Sequence, residues 1–194
     1  MINPLQKQIL AILFAGGDAV ETSRVAQAIG TEPEMVVKWV PKLREALQEA
    51  GMPFELLDLD GKLQLCTAPE YASVIQKALE LRRNQPLSQA ALEVLAIVAY
   101  NQPVTRSFVE QIRGVDSSGV VTSLEEKGLV EEAGRLELPG RPIAYKTTAN
   151  FLRCFGLENI GQLPKLPPAG TGAEEKNGAL EEASLETIDL EEPT

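Results

Sequence analysis

The chain contains no histidine, two cysteines and one tryptophan, and aromatic residues make up 5% of its 194 residues. The missing histidine removes Ser-His-Asp and Cys-His catalysis, the imidazole general base and the commonest metal ligand. The two cysteines, Cys66 and Cys154, are far apart and outside any C-x-x-C spacing. There is therefore no disulfide framework, and the expected compartment is a reducing cytoplasm. Long apolar runs are missing too. The longest, Ile9–Ala15, falls far short of the ~20 residues a membrane helix needs. With only Lys7 as a positive residue ahead of it, the run reads as a first amphipathic helix rather than a signal peptide. Positive charge is scarce: 18 Lys and Arg stand against 28 Asp and Glu, a net charge of −10. That balance is a poor start for binding nucleic acid or an anionic membrane.

What is present is ordinary for a globular protein, with 44% hydrophobic and 24% charged residues. The length allows one large domain or two small ones. The acidity is concentrated at the end. Residues 165–194 hold eight acidic side chains against Lys165 and Lys176, contain no aromatic residue, and are preceded by Pro164 and opened by Pro167, Pro168, Gly170 and Gly172. Low hydrophobicity with an excess of one charge cannot offset ordering entropy, so this segment is expected to be a disordered acidic tail.

An internal repeat organises the rest. Sliding the chain against itself by 84 positions pairs residues 5–40 with 89–124 without a gap and gives eight identities, among them Val20/Val104, Ser23/Ser107, Val25/Val109 and Gly30/Gly114. Two copies of one small fold are expected, over 1–84 and 85–164, with 165–194 as the tail. Because the second copy is internal, the repeat also tells against cleavage after Ala15.

Each copy reads as three helices and a hairpin. Asn3 can cap a first helix with Pro4 at its first position and Leu5, Ile9, Ile12 and Leu13 as its apolar stripe, ended by Gly16-Gly17. A short helix from Ser23 stops at Gly30. Thr31-Glu-Pro-Glu34 has the form of a capping box for a third helix that faces Val36, Val40, Leu43 and Leu47 inward. Pro41 should kink that helix or split it. Asp60-Gly61 between two apolar runs is a strong hairpin signal, although leucines on both faces leave the strand register open. Thr67-Ala-Pro-Glu70 is a second capping-box pattern, for a helix to about Leu81.

In the second copy Leu92, Leu95, Ala96 and Ala99 are expected to face inward, followed by Val109 and Ile112, then Val120, Val121 and Leu124. Strands over 131–138 and 143–147 follow, with Pro139-Gly140 at the tip. The predicted class is mainly α with small β-hairpins (α+β): two tandem winged helix-turn-helix domains.

The chemical motifs fail. Gly114 and Gly119, like Gly156 and Gly161, have phosphate-loop spacing, but Val120-Val121 and Gln162-Leu163 stand where Lys and Ser/Thr are required. Glu125-Glu126 and Glu131-Glu132 are adjacent pairs that regular structure turns apart. Cys66 and Cys154 are expected to be small core residues. For Trp39, burial and exposure at a subunit contact both stay open. The two candidate recognition helices carry Lys38, Lys42 and Arg44 against four glutamates, and Lys127 against three acidic residues. Neither is net basic, as a helix entering a major groove should be.

One segment is distinctive. Residues 138–163 contain Gly140-Arg-Pro-Ile-Ala-Tyr-Lys-Thr-Thr148 leading into Phe151-Leu-Arg-Cys-Phe-Gly-Leu157. It resembles the signature of the segregation and condensation protein B (ScpB) family, in which Gly-Arg-Pro-x-x-Tyr-x-Thr-Thr leads into Phe-Leu-x-x-Phe-Gly-Leu; Leu87–Tyr100 is similar to that family's central helix. The resemblance implies a non-enzymatic homodimer without a cofactor or metal. It further implies binding to a kleisin, segregation and condensation protein A, and through it to an SMC ATPase. The expected setting is chromosome segregation and condensation during cell division, in a condensin-like complex of the cytoplasm, associated with the nucleoid and touching DNA only through the complex. Pro142 lacks an N–H and is expected to keep its strand at a sheet edge. Arg141 and Tyr145 are candidates for a partner-facing surface. Pro142, Phe151, Phe155 and Leu157 complete the candidate set, the last three with core packing as the competing role. The alternative function is a winged-helix DNA-binding transcription regulator.

Overall fold

The computed structural model describes residues 2–79 and 86–166. All of the expected acidic tail except Lys165 and Leu166 lies outside the described residues, as does the end of the helix expected to reach Leu81. The first unit runs α1 (Pro4–Gly16), β1 (Val20–Glu21), α2 (Thr22–Ile29), α3 (Pro33–Glu49), β2 (Phe54–Asp58), β3 (Lys62–Thr67) and α4 (Ala72–Ala78). The second runs α5 (Gln89–Asn101), β4 (Val104–Thr105), α6 (Arg106–Arg113), α7 (Ser118–Glu126), β5 (Val130–Arg135), β6 (Ile143–Thr147) and α8 (Ala149–Cys154). Each unit folds its strands into a three-stranded antiparallel sheet, ordered β1-β3-β2 and β4-β6-β5. Helix, strand, helix, helix and hairpin make two winged helix-turn-helix units.

Local chemistry accounts for most boundaries. The Asn3 side chain accepts from the Gln6 amide at 2.8 Å, and the Asn3 amide donates to the Gln6 side chain at 2.9 Å, a reciprocal cap on α1. Gly30 and Gly114 end α2 and α6 in the left-handed region, at φ 70° and 71°. Two capping boxes expected from the sequence do not form. Glu32, not Thr31, precedes α3, and Ala68 precedes a short 3-10 turn that leads into α4; neither gives a side-chain cap. Nor does Pro41 split α3, which is continuous over 17 residues. Pro41 lies on the exposed face, where the Val37 carbonyl that it leaves without an N–H is open to water.

The first core packs Ile9 and Leu13 from α1, Val25 from α2, Val36, Val40, Leu43 and Leu47 from α3, and Leu56 and Leu63 from the hairpin. Asp60 and Gly61 turn that hairpin at φ 57° and 78°, the two positive values a type I′ turn requires. Leu56 stands opposite Leu65, and Asp58 opposite Leu63. The leucines that left the register open now divide by face. Leu56, Leu63 and Leu65 face the first core, while Leu57 and Leu59 alternate to the other side. Leu59 is nevertheless 2% exposed. Its cover comes from the second unit: Leu59 lines small clefts shared with Leu152, Leu157 and Ile160.

The repeat is not free of gaps. The buried residues of α1 are Gln6, Ile9 and Leu13; those of α5 include Ala91, Val94 and Val98, an offset of 85. β1/β4 and α2/α6 then match at 84, because the connection after α1 is one residue longer than the connection after α5. This slip turns α5 by one position. Leu92 and Ala96, expected inside, are exposed, and the buried face is Ala91, Val94, Leu95, Val98 and Ala99. Ile112 is also outside, at 52% exposure, whereas Val109, Val121 and Leu124 are buried as expected. β5 stops at Arg135, short of 138, after a register shift between Glu132 and Arg135. Pro142 sits just before β6, which is the central strand of its sheet rather than an edge. A proline ahead of a strand's first residue removes no ladder donor, so it places no limit on where the strand lies.

Candidate partner-binding surfaces

The segment that carries the sequence signature spans the second hairpin and α8. At the hairpin tip Arg141 has φ 43° and donates to Glu137 at 2.9 Å, with both side chains largely exposed. Its carbonyl accepts from Arg135 at 3.0 Å, and the Leu136 amide donates to the Pro142 carbonyl at 3.0 Å. The tip is thus held by its own backbone and presents Arg141 to solvent, with Pro142 half-buried beside it.

Tyr145 does not share that surface. It lies between Val104 and Glu132 in the middle of the sheet and is 2% exposed. The Arg106 guanidinium sits 5.1 Å from the centre of its ring and pairs with Glu125 at 3.1 Å. Burial pushes the Tyr145 phenol above its ordinary pKa; Arg106 opposes the shift.

The Thr148 hydroxyl caps α8, accepting from the Phe151 amide at 3.1 Å and donating to the Gly128 carbonyl at 2.6 Å. Phe151 is buried, and Phe155 packs on it with ring centres 4.7 Å apart while remaining 48% exposed. Beyond Phe155 the chain closes α8 through Gly156, at φ 65°, with bonds from Gly156 to the Arg153 carbonyl and from Leu157 to the Leu152 carbonyl. That closure turns Leu157 towards the first unit, where it lines a groove of about 480 Å³ with Leu57, Leu59, Cys66 and Cys154. The structure therefore separates the six candidates. Arg141 and Pro142 mark the hairpin tip, Tyr145 and Phe151 are interior, Phe155 is open, and Leu157 belongs to the contact between units. The cysteines are not core residues either: Cys66 is half-buried and Cys154 exposed. Trp39 is half-buried against the first core.

An apolar surface missed in the sequence lies on the second unit. α6 turns Phe108 and Ile112, one turn apart, outward at 37% and 52% exposure, and Val115 follows at 54%. The matching positions of α2 and the turn after it hold Arg24, Ala28 and Thr31. The fold itself does not require apolar side chains there, and the 84-residue offset would have shown this contrast. On the first unit, Phe14 of α1 and Val74 of α4 are exposed at 74% and 57%. The bases of α3 diverge as well. Lys38 and Lys42 point to solvent, but Arg44 donates to the Leu56 carbonyl at 2.7 Å and pairs with Glu158 at 2.9 Å. Among the described residues no group of three or more His, Cys, Asp or Glu could hold a metal, and no helix is long and apolar enough to cross a membrane.

Comparison with known proteins adds the decisive observation. The family described as segregation and condensation complex subunit ScpB matches residues 7–166, both winged-helix units. The chain belongs to this family. A segregation and condensation protein B of Ruminiclostridium cellulolyticum is 39% identical over 165 residues, 85% of this chain and 87% of the relative. Another, from Caldanaerobacter subterraneus subsp. tengcongensis, is 42% identical over 161 residues, 83% of this chain and 96% of the relative. A solved dimer of a ScpB N-terminal domain complexed with a ScpA peptide is 24% identical, covers 36% of this chain and 88% of that one, and has a TM-score of 0.34. That likeness is too slight to transfer an arrangement of units.

Proposed function

We propose that this ScpB-family chain is a non-enzymatic scaffold subunit of an SMC–kleisin complex and acts in chromosome segregation and condensation by binding the kleisin. The observation that carries the reading is the family match across both winged-helix units. The unmatched phosphate loops leave ATP hydrolysis to an SMC partner. In this reading residues 1–84 form a homodimer, with the exposed Phe14 and Val74 as contact candidates. Residues 85–164 bind a kleisin segment, using Phe108 and Ile112 together with Arg141, Pro142 and Phe155, while Tyr145 and Phe151 hold that surface from beneath and Leu157 stays in the contact between the units. The protein acts in the cytoplasm and reaches the nucleoid through the complex. Direct duplex binding is disfavoured because α3 and α7 lack a net basic charge and Arg44, one of the three bases on α3, is engaged within the molecule.

Two measurements on the full chain test this reading. Light scattering at neutral pH is expected to give a dimer at tens of micromolar. Fluorescence anisotropy on a random duplex is expected to show no binding tighter than ordinary non-specific affinity at ~150 mM salt. A monomer would remove the dimer assignment. Sub-micromolar duplex affinity would replace the scaffold with the transcription regulator.

A further inference from the structure

The outer face of the first wing is the second place where the two units differ. A hairpin in a winged helix buries one face on its own core and shows the other to solvent. Here the outer face carries Leu57 and Leu59, and Leu59 is 2% exposed without belonging to the first core. What covers it is the segment after α8. The Asp60 amide donates to the Glu158 carbonyl at 2.7 Å, and Arg44 reaches the Glu158 carboxylate at 2.9 Å. The Glu158 amide is itself tied to the Gln162 side chain at 2.7 Å, so 156–162 forms a firm hook.

The backbone shows how unusual this contact is for a wing. Leu59 and Lys62 exchange both hydrogen bonds across the turn. Leu57 and Glu55 therefore turn their amides towards β3, and Phe54, Leu56 and Asp58 turn theirs to the free edge of β2. Arg44 occupies the Leu56 carbonyl on that edge at 2.7 Å. The Asp60 amide, at the first position of the turn, has no acceptor within the hairpin, and its bond goes to the other unit.

We propose that the hook Gly156–Gln162 and the outer face of the first wing form a releasable latch. Closed, it fixes the angle between the two winged-helix units, covers Leu59 and holds the Asp60 turn amide; open, it frees that amide and the apolar pair Leu57 and Leu59. Its ion pair is weak by nature, with side-chain exposures of 37% for Arg44 and 55% for Glu158. The contact is also loosely packed, because grooves of about 480 and 110 Å³ flank it. Apolar cover from Leu59 with few polar ties is the composition of a contact that closes without becoming permanent.

Two reporters sit at the latch in the native chain. The Asp60 amide is protected from hydrogen exchange only while the latch is closed. Cys66 is half-buried beneath the hook, and its thiol labelling is resolved by peptide mass from that of Cys154, which is exposed and lines the same groove. Arg44→Ala is expected to lower Asp60 protection and raise the labelling rate of Cys66 over that in the wild-type chain by roughly fivefold. Leu59→Asp, which places a charge in the contact, should change both by more than about tenfold. The β2–β3 ladder amides of Leu57 and Gln64 should keep their protection in both variants, which shows that the first unit remains folded. Full-rate exchange at Asp60 in the wild-type chain would overturn the proposal. So would unchanged Asp60 protection in Leu59→Asp with the ladder intact.

Discussion

The two winged-helix units share an architecture but not a surface. Each has a capped first helix, a short second helix closed by glycine, and a three-stranded sheet. Where they diverge, the first unit has the longer third helix, 17 residues against 9. The second has an outward apolar row on α6 where the first has Arg24 and Ala28. It also carries the hook after its last helix. Identity alone does not mark the core: Val25 and Val109 are identical and buried in both units, whereas Ser23 and Ser107, like Gln27 and Gln111, are identical and exposed in both. What sets the second unit apart is an exposed apolar row at positions where the first holds Arg24 and Ala28.

The comparison can be strained most by emptying the two cores. Leu43 and Leu124 are both fully buried, so Leu43→Ala and Leu124→Ala should each lower stability by about 2–5 kcal/mol in denaturant unfolding. A cost below ~1 kcal/mol in either unit would show that its core is not the one described.

Next in size is the centre of each sheet. Tyr145 faces Val104 as Leu63 faces Val20, but only the tyrosine titrates. Its folded pKa is raised, so the unfolded chain gives up the proton first as pH rises. The stability it contributes is complete below about pH 10 and is lost as pH climbs through the raised value. Tyr145→Phe should flatten the alkaline limb of a stability–pH curve; an unchanged limb would count against a buried phenol. Smaller still are the caps. Asn3→Ala and Ser88→Ala each remove a side-chain acceptor from a first turn and should cost about 1 kcal/mol, equally in both units. Thermal unfolding that separates the two would mark one cap as ornamental.

Much of this was legible in the sequence. The glycine stops, the Asn3 cap, the Asp60-Gly61 turn and the inward row of α3 all follow from local chemistry, and the ScpB signature gave the family. The misses have physical causes. A one-residue difference after the first helices shifted the inward face of α5, which a helix period cannot detect inside an apolar run. The strand expected over 143–147 carried no sign that β6 is central, so Tyr145 reads as surface although Arg106 covers its ring and strands flank it on both sides. The leucines on both faces of the first hairpin were unresolvable from within one unit, since the partner of Leu59 lies near residue 160.

The central claim is that partner chemistry resides where the units differ. Calorimetry of the full chain with the kleisin's central segment tests it most directly, using Ile112→Asp in the second unit and Ala28→Asp at the equivalent position of the first. The account predicts that Ile112→Asp weakens binding about tenfold or more while Ala28→Asp leaves the affinity as it was. Equal affinities in both variants, or a loss confined to Ala28→Asp, would contradict it.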